Sequence, residues 1–342
     1  MKKPRTIIIS RTDSIGDVVL TLPMAGVLKK MFPGVRILFL GRAYTKEVVS
    51  CSEHVDAFLN WDEIEKMPEV AQKVVAFKQP AADVIIHVFP QVEIAALAKK
   101  AKIPLRIGTF SRFFHLTTCN KKVLFTRKKS PLHEAQLNLK LLKPLGFNKI
   151  PNTSYLTDNM GFTKIPNTDK PFQKLLAKDK INLILHPKSK GSGREWGLAN
   201  FEALIKLLPE EKYQLFVSGT EEEGRLFREE LPLGRKNVTD ISGSMDLRTF
   251  IAFIARSDGL IAAGTGPLHI TAALRKFALG IFPPIRPIHP GRWAPIGENA
   301  TYLVREGTCN DCRNGGTCHC MMEITPHQVK SKIEEFFSKK KK

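Results

Sequence analysis

Two glycine-rich turns, far apart in the chain, each follow directly on an apolar run of strand length. The first is Arg11-Thr-Asp-Ser-Ile-Gly-Asp17, after the run Thr6 to Ser10. The second is Ala262-Ala-Gly-Thr-Gly-Pro-Leu-His269, after a run ending at Ile261. A strand that feeds straight into a helix leaves the first N–H groups of that helix without intrahelical partners, and such helix ends favour anions. Two turns of this kind in two halves suggest two sugar- or phosphate-binding α/β domains facing one cleft.

The pattern between the turns agrees with that class. Short apolar runs (Thr6 to Ser10, Val35 to Leu40, Val84 to Val88, Leu105 to Ile107) alternate with stretches of helical periodicity: Asp17 to Met31, Tyr44 to Cys51, Pro68 to Phe77, Val92 to Ala101 and His133 to Leu145. Pro23 is the awkward residue in the first of these helices. Between Asn148 and Pro171 the periodicity fades into Pro, Asn, Thr and Lys, which marks a linker. Strands then resume at Ile181 to His186, Tyr213 to Ser218, Val238 to Asp240, Gly259 to Ala262 and Phe277 to Phe282, again separated by helical stretches. Strands alternating with helices predict parallel, doubly wound sheets. The segment from Pro326 carries Val329, Ile333 and Phe336-Phe337 at helical spacing and predicts a terminal helix.

At 342 residues the chain is long enough for two domains with their own cores. The apolar segment behind the basic N-terminus is too short for a signal peptide, and no run reaches membrane-spanning length, so a cytoplasmic location is expected. Lys and Arg number 53 against 33 Asp and Glu, a formal charge of +20. Such a field favours anionic partners, although no nucleic-acid-binding signature accompanies it. Of six cysteines, Cys51 and Cys119 read as isolated structural thiols. The others form Cys309-x2-Cys312-x5-Cys318-x-Cys320, with a second pair too close for an ordinary zinc knuckle, so thiols or a local disulfide are expected rather than a metal.

Candidate chemistry gathers on the turns. Asp17, beside Gly16, reads either as a favourable charge at a helix start or as a general base for a sugar hydroxyl. Arg11 either neutralises a phosphate or pairs with a neighbouring acid. Asp13 is a cap, an ion-pair partner or an acceptor ligand. In the second turn Gly264 and Gly266 permit close backbone approach, Thr265 caps the helix or binds phosphate, Pro267 suits the first helical turn, and His269 reaches a diphosphate or a neighbouring loop. The loop Pro187 to Trp196 brings Lys188, Lys190 and Arg194 together with two glycines as a phosphate cradle, but its lysines precede the glycines, unlike a P-loop. Glu222 and Glu223 stand at a helix start, where acids serve the dipole or accept from ribose hydroxyls. Arg292 is a further candidate for a donor phosphate, while the adjacent Trp293 reads as structural.

Arg11-Thr-Asp-Ser-Ile-Gly-Asp-Val-Val-Leu-Thr-Leu-Pro23, Gly264-Thr-Gly-Pro-Leu-His269 and Arg292-Trp-x-Pro-x-Gly297 together resemble the bacterial ADP-heptose:lipopolysaccharide heptosyltransferases, glycosyltransferase family 9. The resemblance implies a GT-B fold. Residues 1–165 would form an acceptor-binding Rossmann-like domain and residues 172–325 a nucleotide-sugar-binding one, with a helix over 326–342 packing back towards the first. It implies an inverting transfer of heptose from ADP-heptose without metal or other cofactor. Asp17 would be the base, and Arg194 the basic residue two before the family tryptophan. Glu222 or Glu223 would hold the ribose, and Thr265, Gly266 and His269 the diphosphate, aided by Lys188 or Arg292. The acceptor would be a polyanionic lipopolysaccharide core met at the cytoplasmic face of the inner membrane. One departure stands out: Gly264 lies where the family commonly has Asp, which leaves another nucleotide sugar open as donor. A nucleotide-sugar epimerase and a non-catalytic nucleotide-binding protein are the competing classes.

Overall fold

The computed structural model describes residues 3–127, 130–167, 170–191, 193–307 and 318–339. Cys309 and Cys312 lie outside the described residues. The chain divides into two units, after Lys164, within the stretch where periodicity fades.

The first unit contains one parallel sheet built from β1 (Thr6–Ser10), β2 (Arg36–Gly41), β3 (Ala57–Asn60), β4 (Val84–His87), β5 (Leu105–Thr109) and β6 (Lys121–Val123). Its spatial order is β3-β2-β1-β4-β5-β6. The second unit repeats the plan with β7 (Ile181–His186), β8 (Tyr213–Val217), β9 (Val238–Asp240), β10 (Gly259–Ala263), β11 (Phe277–Phe282) and β12 (Ala300–Val304), in the order β12-β11-β10-β7-β8-β9. Counted from its own first strand, each sheet has the order 3-2-1-4-5-6, the doubly wound arrangement.

The burial of the strands follows from this order. β1, β7, β10 and β11 are central and covered on both faces; every residue of β1, β10 and β11 is buried, which is why they read as unbroken apolar runs. The edge strands are weaker signals: β3 is half-buried throughout, and β12 is only partly covered. Neither β6 nor β12 stands out in the sequence, because a three-residue Lys-Lys-Val strand is specified by its neighbour rather than by its own pattern.

Two of the expected helices are interrupted. The stretch Asp17 to Met31 is broken into Ile15–Val19 and Leu22–Met31. Pro23 sits in the first turn of the second piece, where its missing N–H is harmless, and the Thr21 hydroxyl donates to the Asp17 carbonyl at 2.8 Å across the break. The stretch ending at Leu145 is a helix Glu134–Lys140 followed by a 3-10 turn Lys143–Leu145. Gly146, at φ 100°, closes it in the left-handed conformation that glycine tolerates.

The terminal helix Pro326–Lys339 buries Val329, Ile333 and Phe337 in the core of the second unit. Phe336 stacks on Phe277 with ring centroids 4.6 Å apart. Cys318 and Cys320 are buried in the same core. Among the described residues, no helix is long and apolar enough to cross a membrane, and no group of three or more His, Cys, Asp or Glu could hold a metal ion.

Candidate functional site

In doubly wound sheets ligands bind beyond the carboxyl ends of the strands where the order reverses. Those strands are β1 and β4 in the first unit and β7 and β10 in the second. Both glycine turns and the Lys188 loop leave from three of these four strand ends.

The turn after β1 is organised around a buried cation. Arg11 is 3% exposed, and its guanidinium donates from Nε to Asp13 Oδ1 at 2.7 Å and from Nη2 to Asp13 Oδ2 at 2.9 Å. Nη2 also pairs with Asp17. Nη1 reaches Glu134 Oε1 at 3.1 Å and Asn138 Oδ1 at 3.0 Å. Arg127 pairs with the same Glu134 and donates to Asn138 Oδ1 at 3.0 Å and to the Val88 carbonyl at 3.0 Å. Asn138 in turn donates to the Leu20 carbonyl and the Thr21 hydroxyl, both at 3.2 Å. Of the two alternatives for Arg11, phosphate binding or acid pairing, the geometry realises the second.

The cluster sets three carboxylates against two guanidiniums. Burial pushes the Asp13 carboxyl up to about 6; the Arg11 charge opposes this and the neighbouring Asp17 charge adds to it. For Arg11, burial disfavours the charge, but Asp17, Asp13 and Glu134 together hold its pKa above the ordinary arginine value. Asp17 lies in the first turn of helix Ile15–Val19, and its second oxygen accepts from the Ser14 hydroxyl. Its side chain is 17% exposed, so it is oriented from behind while still open to solvent. Glu134, Asn138 and Arg127 are the residues that sequence reasoning missed. Glu134 stands 123 positions from Arg11, and nothing local links the two.

In the second unit the turn after β10 meets the loop after β7. A Cβ added to Gly193 would lie 3.1 Å from the Gly264 carbonyl oxygen, and one added to Gly264 would lie 2.8 Å from Phe282 Cε1. The ring of Phe282, 1% exposed, therefore fills the space that a side chain at position 264 would need. Thr265 is the N-cap of helix Gly266–Ala273, with Pro267 in its first turn. The Thr265 side chain makes no cap hydrogen bond; Thr265 is 4% exposed, and its Oγ1 has no hydrogen-bond partner among the described residues. A buried hydroxyl left in that state costs about 1–3 kcal/mol. The backbone N–H of His269, which is also buried, bonds the Thr265 carbonyl at 3.4 Å.

The loop after β7 is folded around an acid. Lys188 Nζ donates to Glu195 Oε2 at 2.6 Å, the Ser189 N–H bonds Glu195 Oε1 at 3.2 Å, and the Ser189 hydroxyl bonds the Gly193 carbonyl at 2.8 Å. Arg194 is half-buried. Trp196 is fully buried and donates its indole N–H to the Ile324 carbonyl at 2.7 Å, anchoring the far end of the loop. His186, the last residue of β7, shares a 2.9 Å hydrogen bond with Ser218 Oγ, and burial pushes its imidazole down to about 4, so it is neutral at pH 7.

The two glutamates after β8 part company. Glu223 closes a capping box with Thr220: the Thr220 N–H bonds Glu223 Oε2 at 2.8 Å and the Glu223 N–H bonds Thr220 Oγ1 at 3.3 Å. Glu222 is exposed; a backbone N–H and the Thr220 hydroxyl hold it below the usual carboxylate range, with the Lys190 charge adding to the effect. The Thr220-x-x-Glu223 spacing is itself the capping-box signature and separates the two glutamates. Arg292 packs its guanidinium over the Trp293 ring, 4.8 Å from the centroid, while Trp293 donates to the Pro287 carbonyl at 2.9 Å.

Residues 73–320 match the model of glycosyltransferase family 9 (heptosyltransferase). The chain belongs to that family. The match includes the Lys188 loop and the Gly264 turn and begins after the Arg11–Asp17 turn. Among curated relatives of this family-9 protein, a putative glycosyltransferase of Haemophilus influenzae is 23% identical over 301 residues, covering 85% of this chain and 86% of the relative. Lipopolysaccharide heptosyltransferase 3 of Escherichia coli is 23% identical over 298 residues, covering 83% of each. Among solved structures, the ADP-heptose lps heptosyltransferase II of E. coli superposes with a TM-score of 0.76 at 14% identity, covering 99% of this chain and 100% of that one. A family-9 glycosyl transferase of Veillonella parvula gives 0.77 at 18% identity, covering 98% of each chain. The family-9 chain thus has the GT-B-like fold of two Rossmann-type lobes with C-terminal helices, and by family and fold it is a glycosyltransferase-like enzyme.

Proposed function

We propose that this protein transfers heptose from ADP-heptose to the inner core of lipopolysaccharide, with inversion at the anomeric carbon and without a metal. The observation that carries the reading is the buried, unpartnered Thr265 hydroxyl at the start of helix Gly266–Ala273. Together with the first N–H groups of that helix, it suits the oxygens of a diphosphate.

Asp17 takes the proton from an acceptor hydroxyl as that oxygen attacks the anomeric carbon. The bond from that carbon to the diphosphate oxygen breaks in the same displacement, which inverts the sugar. Charge that develops on the departing ADP is met by the helix N–H groups, the Thr265 hydroxyl and the cations Lys188, Arg194 and Arg292. His269 lines the same turn. Glu222 rather than Glu223 holds the ribose hydroxyls, because Glu223 is occupied in its capping box. Asp13, Gly16 and Arg11 fix the base, with Arg11 acting through Asp17.

A second reading keeps the transferase and changes the donor. Phe282 fills the space beside Gly264, where the related pattern has Asp, and an apolar wall there suits a different sugar or nucleotide. Incubation with a panel of nucleotide sugars and core oligosaccharide acceptors, read by mass shift and by the anomeric configuration of the product, decides between them. Transfer from ADP-heptose with inversion is expected; retention of configuration refutes the single displacement, and turnover without an acceptor points to an epimerase.

A further inference from the structure

Beside the Asp17 turn stands an aromatic side chain that the proposed reaction leaves unused. β2 pairs with β1, and the Arg11 N–H bonds the Leu40 carbonyl at 3.0 Å, so the two chains leave the sheet side by side. The chain after β2 forms a 3-10 turn, Ala43–Thr45, and Tyr44 at its centre is 53% exposed. The Tyr44 phenol O–H donates to the Asp13 carbonyl at 2.7 Å. Its polar tip is thus fixed to the turn that carries Asp17, while the residue stays open to solvent. The backbone beneath it is fixed as well. The Ala43 N–H bonds Asp62 Oδ2 at 2.7 Å, Arg42 Nη1 donates to Asp62 Oδ1 at 2.6 Å, and the Thr45 hydroxyl donates to the Arg42 carbonyl at 2.7 Å. A ring held in this way loses little freedom when a ligand covers it.

The charges around the ring suit a neutral ligand. Burial, and after it the Asp13 charge, hold the Tyr44 phenol above its ordinary value; Asp17 and Asp62 act in the same sense and Arg42 opposes them. Three carboxylates therefore bear on this spot against one guanidinium. That guanidinium is paired with Asp62 and Glu65, as Arg11 is with Asp13, Asp17 and Glu134. A phosphate or carboxylate placed here would meet acids of its own sign and guanidiniums already engaged. A sugar ring meets the opposite conditions. Its hydroxyls donate to ionised carboxylates, which only accept, and its C–H face matches the negative face of an aromatic ring.

We propose that Tyr44 is the platform for the sugar that receives the transferred residue, and that this sugar is a neutral pyranose. The apolar face of the pyranose lies on the Tyr44 ring, and a hydroxyl at its edge turns to Asp17. The inference rests on the proposed function for the role of Asp17. It goes further in naming the acceptor's class at the point of attack: an uncharged ring, whatever charge the rest of the acceptor carries. A role confined to tying down the Asp13 backbone would need only the phenol hydroxyl, whereas a platform needs the ring.

Calorimetric titration of the full chain in excess ADP tests this with two disaccharides, one ending in an unmodified heptose and the other in the same heptose carrying a phosphate. The neutral compound should bind at least about tenfold more tightly. Tyr44→Ala should weaken its binding about tenfold and leave ADP affinity within about twofold. Tyr44→Phe keeps the ring and gives up the bond to Asp13, and should stay within about threefold of the unaltered protein. Binding of neither compound, a preference for the phosphorylated one, unchanged affinity in Tyr44→Ala, or equal losses in Tyr44→Phe and Tyr44→Ala would each overturn the inference. Binding is read without turnover, so the two ideas fail separately. A chain that holds the neutral sugar through Tyr44 yet transfers nothing refutes the proposed function alone. A chain that transfers heptose with its acceptor affinity untouched by Tyr44→Ala refutes the platform alone.

Discussion

Replacing Asp13 by Asn should stabilise the protein at pH 8 and do little at pH 4. The cluster at the β1 turn holds three carboxylates, Asp13, Asp17 and Glu134, against two guanidiniums, Arg11 and Arg127. Burial raises the Asp13 carboxyl from its ordinary 3.8 to about 6. Between those values the folded state holds the proton more tightly than the unfolded chain, so the contribution of Asp13 to stability falls as pH rises through that window and levels off above it. The gap between 3.8 and about 6, at 1.36 kcal/mol for each step of one, corresponds to about 3 kcal/mol. Asn carries no charge and evens the cluster at two against two, but it weakens the paired hydrogen bonds to Arg11, so a net gain of about 1–2 kcal/mol above pH 7 is expected. Urea unfolding of both proteins at a series of pH values measures the difference directly, and other titrating groups largely cancel. A difference that stays constant from pH 4 to pH 8, or a variant that loses stability as pH rises, refutes the electrostatic account of this turn.

Two further substitutions probe the second unit. Thr265→Val removes the unpartnered hydroxyl at nearly constant shape; it should stabilise the unliganded protein by about 1 kcal/mol in urea unfolding and weaken ADP binding about tenfold in calorimetric titration. Unchanged ADP affinity would show that this hydroxyl does not meet the nucleotide. Gly264→Asp should cost about 1–3 kcal/mol of stability, because its Cβ would come within 2.8 Å of the Phe282 ring, and Phe282→Leu in the same chain should recover part of the loss. Absence of any cost would mean that the ring moves aside freely.

The sequence declares central elements more clearly than peripheral ones, for a physical reason. β1, β10 and β11 are covered on both faces, so every residue along them must be apolar or small, and the run is unmistakable. β6 is Lys-Lys-Val on the sheet edge and exists because Ile107, Gly108 and Thr109 offer it a ladder. The site divides in the same way. Asp17, Thr265 and Lys188 lie on turns whose glycines announce them. The Arg11–Glu134–Arg127 cluster is closed by a helix start more than a hundred residues downstream, a pairing that no local pattern encodes. Two broken helices tell the converse story: Pro23 and Gly146 were visible as punctuation, while the precise break depends on side-chain bonds such as that from Thr21 to the Asp17 carbonyl.

The central claim is that Asp17 removes the acceptor proton while the helix after Gly264 holds the departing diphosphate. Single-turnover transfer by Asp17→Asn, measured alongside ADP affinity, tests it most directly. The account predicts a fall in transfer of about a hundredfold or more, with ADP binding within about twofold of the unaltered protein, since an interaction confined to the transition state should leave ground-state binding intact. Near-normal transfer by the variant, or a parallel collapse of ADP binding, would contradict it.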